Sequence, residues 1–179
     1  MLIYEALKKD HEKVKSLLNR LLLLNEKSEH SEDLIQQIRD ELIPHARAEE
    51  AIFYNSLRSI DSAKDLVMHG YGEHMEAEAL LKRLQMSDAF NADWKETAIK
   101  LKNALEHHIR EEEDRIFSVA KEILTEEEAE KLGDAFEQMK PDIKEEGFLG
   151  TTLDLIGNLM PPRFTKAFRK DIPTVGANR

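Results

Sequence analysis

Cysteine is absent from all 179 residues. That removes disulfides, thiolate nucleophiles, iron–sulfur ligation and cysteine zinc sites together, so any metal held here is held by nitrogen and oxygen. Long apolar runs are also missing. None approaches the ~20 residues that span a bilayer, and the opening MLIYEALKKDHEK becomes charged too early for a secretory signal. A cytoplasmic location is the expectation. Positive charge is in short supply: the formal net charge is −10 and the pI is near 5.2. Phosphate contacts need clustered Lys and Arg, so nucleic acid is not an expected partner. Glycine and proline are few before residue 140. What remains is 41% hydrophobic and 35% charged, the composition of a soluble helical protein, at a length suited to one domain with or without an appendage.

Helical periodicity marks four long segments joined by short polar turns. The first runs from Ile3 to about Glu26, and the second from near Ser31, a suitable N-cap, to about Arg58. The third runs from near Ser62 to Met86, and the fourth from near Asn91 to about Leu124. A shorter fifth opens at Thr125 with a capping box to Glu128 and fades near Pro141. Connections this short force successive helices to lie antiparallel. The expected fold is all-α: an up-down-up-down four-helix bundle over residues 1–124, an added helix over 125–142 and an irregular tail over 143–179. Pro44 removes a backbone donor, so the second helix should kink or break there.

Each of the four apolar stripes is interrupted by a histidine. The first reads Tyr4, Leu7, His11, Val14, Leu18; the second Ile38, Leu42, His45, Glu49, Ile52, Phe53. The third reads Val67, Gly70, His74, Ala77, Leu81, and the fourth Leu101, Leu105, His108, Glu112, Ile116. A polar group buried without a partner costs roughly 2 to 7 kcal/mol, and a lone carboxylate more, so these six need a common solution. With ~1.5 Å of rise per residue, all six fall ~12 to 24 Å from one end of the bundle, within one slab. A purely hydrogen-bonded polar layer is the bland alternative; convergence favours metal.

The His-x-x-x-Glu spacing alone proves little, because five of the seven histidines have Glu four positions later. The face decides. His107 with Glu111, and His69 with Glu73, fall beside polar neighbours and read as surface, with a supporting role open for the His69 pair. His30 reads as a turn residue in solvent, and Glu50 and Glu78 as solvated helix charges flanking the site.

Four imidazoles and two carboxylates exceed what one zinc ion uses and suit two first-row metals, with iron first and manganese or zinc as substitutes. Their affinity should fall as the histidines protonate near pH ~6. Ferritin-like di-iron bundles rely on Glu-x-x-His, and no histidine here has Glu three positions before it.

The stretches LKKDHEKV around His11, HARAEEAIFY at 45–54, GEHMEAEALL around His74 and HHIREEEDRIF at 107–117 together resemble the hemerythrin-like family, in its bacterial and archaeal branch with the HHE cation-binding domain. The resemblance covers about residues 3–124. It implies a non-haem di-iron centre inside a four-helix bundle, with His11, His45, Glu49, His74, His108 and Glu112 as ligands and the two glutamates bridging. Oxygen-carrying relatives have a second histidine four residues after the third-helix one and end their set with aspartate, where this chain has Glu78 and Glu112. That departure implies reactivity with, or sensing of, dioxygen, peroxide or nitric oxide rather than reversible carriage. A peroxide- or nitric-oxide-reactive oxidoreductase, an iron-storage or signalling module, and a metal-free helical interaction protein all remain open. The tail from Glu145 could form a short helix over 151–160; it is expected to pack on the bundle, on another subunit or on a protein partner, or to touch a membrane surface through Phe164, Lys166, Phe168, Arg169 and Lys170.

Overall fold

The computed structural model describes residues 1–25, 28–86 and 93–146, and all of the regular structure there is helical. The elements are α1 (Ile3–Leu22), α2 (Glu29–Glu49), a π-helical turn (Glu50–Tyr54), α3 (Asn55–Leu57), α4 (Asp61–Met86), α5 (Asp93–Glu111), a second π-helical turn (Glu112–Ile116), α6 (Phe117–Ile123) and α7 (Glu126–Glu146). Around the bundle the neighbours are α1 with α2, α2 with α4, α4 with α5, and α5 with α1, while α7 lies against α1 and α2. The expected up-down-up-down bundle with an added helix is what the chain forms. Asn91 and the tail beyond residue 146 lie outside the described residues.

Local chemistry sets the ends. The start of α2 is Ser28 rather than Ser31: the Ser28 N–H donates to Ser31 Oγ at 2.8 Å, so Ser31 closes the cap from inside the first turn. At α7 the Thr125 N–H donates to Glu128 Oε2 at 2.9 Å and the Glu128 N–H to Thr125 Oγ1 at 3.3 Å, the capping box read from TEEE. Helix α2 runs unbroken through Pro44, and α7 runs past Pro141 to Glu146. Neither proline ends its helix, because burial of Leu42, His45 and Ala46 around the first and of Met139 and Ile143 around the second outweighs one lost backbone bond. The irregularity of the second long helix falls beyond Pro44, in the π turn Glu50–Tyr54.

The interior is two apolar cores stacked end to end. One gathers the start of α1 (Ile3, Leu7), the turn after α2 (Ile52, Phe53), Val67 of α4, Phe117 of α6 and Phe136 of α7. The other gathers Val14, Leu18, Leu21, Ile38, Leu42, Leu81, Leu101 and Leu105. Each long helix crosses from one core to the other at its histidine: Leu7–His11–Val14, Leu42–His45–Ile52, Val67–His74–Ala77 and Leu105–His108–Ile116. Helix α7 contributes Leu132, Phe136 and Met139 to the first core, and Gly133 lets the backbone of Met1 and Ile3 approach closer than a Cβ would permit.

Candidate metal centre

Between the two cores lies a polar layer made of His11 from α1, His45 and Glu49 from α2, His74 from α4, His108 from α5 and Glu112 from the second π turn, all buried. The six residues that the apolar stripes singled out therefore meet at one level. Their inward atoms sit close but are mostly not hydrogen-bonded. His11 Nε2 is 3.2 Å from Glu112 Oε2, His45 Nε2 3.5 Å and His74 Nε2 3.3 Å from the same Glu49 Oε2, and His74 Nε2 3.1 Å from His108 Nε2. Both oxygens of Glu49, both of Glu112 and His11 Nε2 are buried without a hydrogen-bond partner. Metal–ligand bonds of ~2.0–2.2 Å place neighbouring donors about 2.8–3.6 Å apart, a range that includes these separations. The donor set of imidazole nitrogens and carboxylate oxygens fits first-row cations.

The outward nitrogens tell the complementary story. His11 Nδ1–H donates to Glu113 Oε1 at 3.0 Å, His45 Nδ1–H to Asp10 Oδ2 at 3.2 Å, His74 Nδ1–H to Glu50 Oε1 at 2.9 Å and His108 Nδ1–H to Glu73 Oε2 at 3.0 Å. A carboxylate only accepts, so each bond places a proton on Nδ1 and turns Nε2 inward as the nitrogen that can take a cation. The supports form a closed ring. Asp10 of α1 holds the histidine of α2, Glu50 after α2 holds that of α4, Glu73 of α4 holds that of α5, and Glu113 after α5 holds that of α1. Every helix that presents a histidine also orients a neighbour's.

Glu50 is thus not the solvated flank expected from the sequence: it is mostly buried on His74, with its other oxygen taking Arg47 at 3.0 Å. The Arg47 guanidinium also reaches Glu78 at 2.7 Å, and Glu78 remains partly exposed at the rim. Asp10, Glu113 and Lys140 were not singled out either. Each supporting acid is next in sequence to a layer residue (Asp10–His11, Glu49–Glu50, Glu73–His74, Glu112–Glu113). That adjacency is the one signal that could have found them. His30 is exposed in the first turn of α2, and His69 and His107 are exposed on α4 and α5.

Electrostatics follow from this wiring. Burial raises the Glu49 carboxyl, but the adjacent Glu112, His45 and His74 outweigh it and hold Glu49 well below the usual range. Burial and the Glu49 charge push Glu112 well above it. Burial opposes the charge on His74, yet Glu49 and Glu50 raise it to about 10, and Asp10 and Glu49 likewise raise His45 against burial. His108 is lowered, first by burial and then by the His74 charge, with Glu73 opposing. A cation entering the layer therefore displaces protons.

The phenol of Tyr54, at the end of the first π turn, stacks on His74 with ring centres 5.5 Å apart and planes at 10°. Its hydroxyl is buried without a partner and is pushed well above its usual range by burial and then by the charges of Glu49, Glu112, Glu73 and Glu50. Gly70, one turn before His74, makes room for it: a Cβ there would lie 2.5 Å from the Tyr54 hydroxyl. On the opposite side the Phe136 ring of α7 meets His45 edge-on at 5.6 Å, and Lys140 Nζ binds Asp10 at 2.8 and 3.1 Å.

The hemerythrin HHE cation binding domain matches residues 2–120. This chain belongs to that family. The HHE match ends before α7, so the helix carrying Phe136 and Lys140 is an addition to the matched region. A crystal structure of a hemerythrin HHE cation-binding domain-containing protein from Mycobacterium kansasii shares the fold, with a TM-score of 0.70 and 24% identity over 87% of this chain and 98% of that one. A protein described as a DNA nickase from Nostoc sp. (strain PCC 7120 / SAG 25.82 / UTEX 2576) is 28% identical over 145 residues, 81% of this chain. The match spans 41% of that relative's length. No helix among the described residues is long and apolar enough to cross a membrane.

Proposed function

We propose that this HHE domain holds two non-haem iron ions in the polar layer and uses them to react with, or sense, dioxygen, peroxide or nitric oxide. His11 and His45 would hold one ion and His74 and His108 the other, with Glu49 and Glu112 supplying the carboxylates of the set. The observation that carries this reading is the set of four buried carboxylate oxygens with no hydrogen-bond partner, facing four imidazole nitrogens whose rings are oriented from behind. Left alone, such a set would cost several kcal/mol, on the ~2 to 7 kcal/mol scale for each stranded polar group. Iron would supply redox chemistry and open coordination positions for a small ligand.

The protein's own contribution is orientation and dryness. The Nδ1 bonds hold each ring, and Ile52, Phe53, Leu105 and Ile116, all buried, wall the layer from water. Peroxide and nitric oxide consumption by the iron-loaded chain distinguishes the chemical roles. Rapid turnover that disappears in both Glu49→Ala and Glu112→Ala marks a reactive centre; tight, inert binding marks sensing or storage; iron-loaded protein that neither consumes nor binds these ligands ends the proposal. The nickase description of the Nostoc protein is not extended to this chain, because the match covers less than half of that protein and the net charge of −10 opposes phosphate binding.

A further inference from the structure

A second group of metal-type donors stands on the outer face of α4 and α5. His69 and Glu73 are one turn apart on α4, His107 and Glu111 one turn apart on α5, and one donor atom from each lies within 4.8 Å of all the others. His69 Nε2 is 3.6 Å from Glu73 Oε1 and 3.3 Å from Glu111 Oε2, and His107 Nε2 is 3.5 Å from Glu73 Oε1. These separations are too long for good hydrogen bonds. These three edges lie close to the ~3.3–3.4 Å of a tetrahedron with metal–ligand bonds of ~2.0–2.1 Å, so small side-chain rotations would close the set on an ion.

The carboxylates are divided in a way that leaves one oxygen of each for this cluster. Glu111 gives Oε1 to Arg115 at 3.2 Å and turns Oε2 to His69. Glu73 gives Oε2 to His108 Nδ1, while its Oε1, shielded from solvent and without a hydrogen-bond partner, points between the two exposed imidazoles. That stranded oxygen is an observation independent of the clustering. Access is open through a cleft of about 390 Å³ lined by Glu73, Asn103 and His107, among others.

We propose that His69, Glu73, His107 and Glu111 form a second, surface-accessible site for a divalent cation of the zinc type, outside the polar layer and joined to it through Glu73. Two imidazoles and two carboxylates are a tetrahedral N2O2 set whose two negative charges neutralise a dication. Calcium and magnesium ask for six or more ligands, mostly oxygen, which two histidines do not offer. Because Glu73 also supports His108, a cation on Oε1 draws charge from the carboxylate that orients an inner ligand, so occupancy outside is felt inside.

The test is the Zn²⁺ content of the full-length protein after equilibrium dialysis against buffered Zn²⁺, with titration calorimetry, comparing wild type with His69→Ala/His107→Ala and with Glu111→Gln. His69 and His107 are 59% and 60% exposed, so their removal leaves the fold intact. Wild type is expected to retain one Zn²⁺ per chain more than the double variant, and Glu111→Gln to bind that ion at least ~tenfold more weakly. The comparison is a difference between proteins, so it holds whether or not the inner layer takes metal. Equal Zn²⁺ content in wild type and the double variant overturns the proposal, as does unchanged affinity in Glu111→Gln.

Discussion

The two halves of the polar layer use the same donors but are backed differently. The half on α1 and α2, with His11 and His45, is sealed behind His45, where Asp10 is neutralised by Lys140 and Phe136 of α7 closes over the ring, while Glu113 behind His11 stays partly exposed. The half on α4 and α5, with His74 and His108, is equally buried, but its backing reaches the surface. Glu73 behind His108 reaches exposed His69 and His107, and Tyr54 lies against His74 with a stranded hydroxyl. Identical ligands can thus be given unlike surroundings by changing only what stands behind them. A fixed ammonium pins one support, whereas the other responds to whatever binds at the surface.

Four changes break or sharpen that contrast. Glu49→Ala should have the largest effect, because one oxygen of Glu49 lies beside histidines of both halves. Metal analysis of the purified variant is expected to show loss of both ions, and loss of only one would mean the halves are independent. Phe136→Ala removes a fully buried ring from the sealed half only. It should lower stability by ~3–5 kcal/mol in denaturant unfolding of the metal-free protein. Glu73→Gln removes the charge behind His108, and altering such a support typically weakens metal ~10- to 100-fold; with the outer site already removed by His69→Ala/His107→Ala, competition with a chelator is expected to show this for the α4/α5 ion and not for the α1/α2 ion. Gly70→Ala is expected to destabilise by ~1–3 kcal/mol, since its Cβ drives Tyr54 toward His74.

The bundle and its six-residue layer were legible because each helix crosses its own apolar stripe once, and a histidine on that stripe cannot be explained as a solvated charge. His11, His45, His74 and His108 stand out for that reason, and Glu49 and Glu112 by lying one turn beyond two of them. Their supports did not stand out. Glu50 and Glu113 look like ordinary surface acids in a chain rich in glutamate, and it is at the widened π turns after Glu49 and at Glu112 that both acids of each pair reach the two nitrogens of one histidine, Glu49 and Glu50 those of His74 and Glu112 and Glu113 those of His11. A reading built on 3.6-residue periodicity cannot register an inserted residue. Lys140 and Phe136 were hidden for another reason: their contacts with Asp10 and His45 span more than ninety residues and depend on where α7 docks. The strongest periodicity came from positions where burial alone sets the residue type, and the weakest from charges whose partners lie on another helix.

The central claim is that the four histidines and two glutamates of the layer hold metal. Mass-spectrometric metal content of the purified chain, with its visible spectrum in air, tests this most directly. The account predicts two first-row metal ions per chain in a sample with the outer site removed by His69→Ala/His107→Ala, and visible ferric absorption if iron fills them. A colourless chain that stays metal-free after exposure to ferrous iron, manganese and zinc would contradict it.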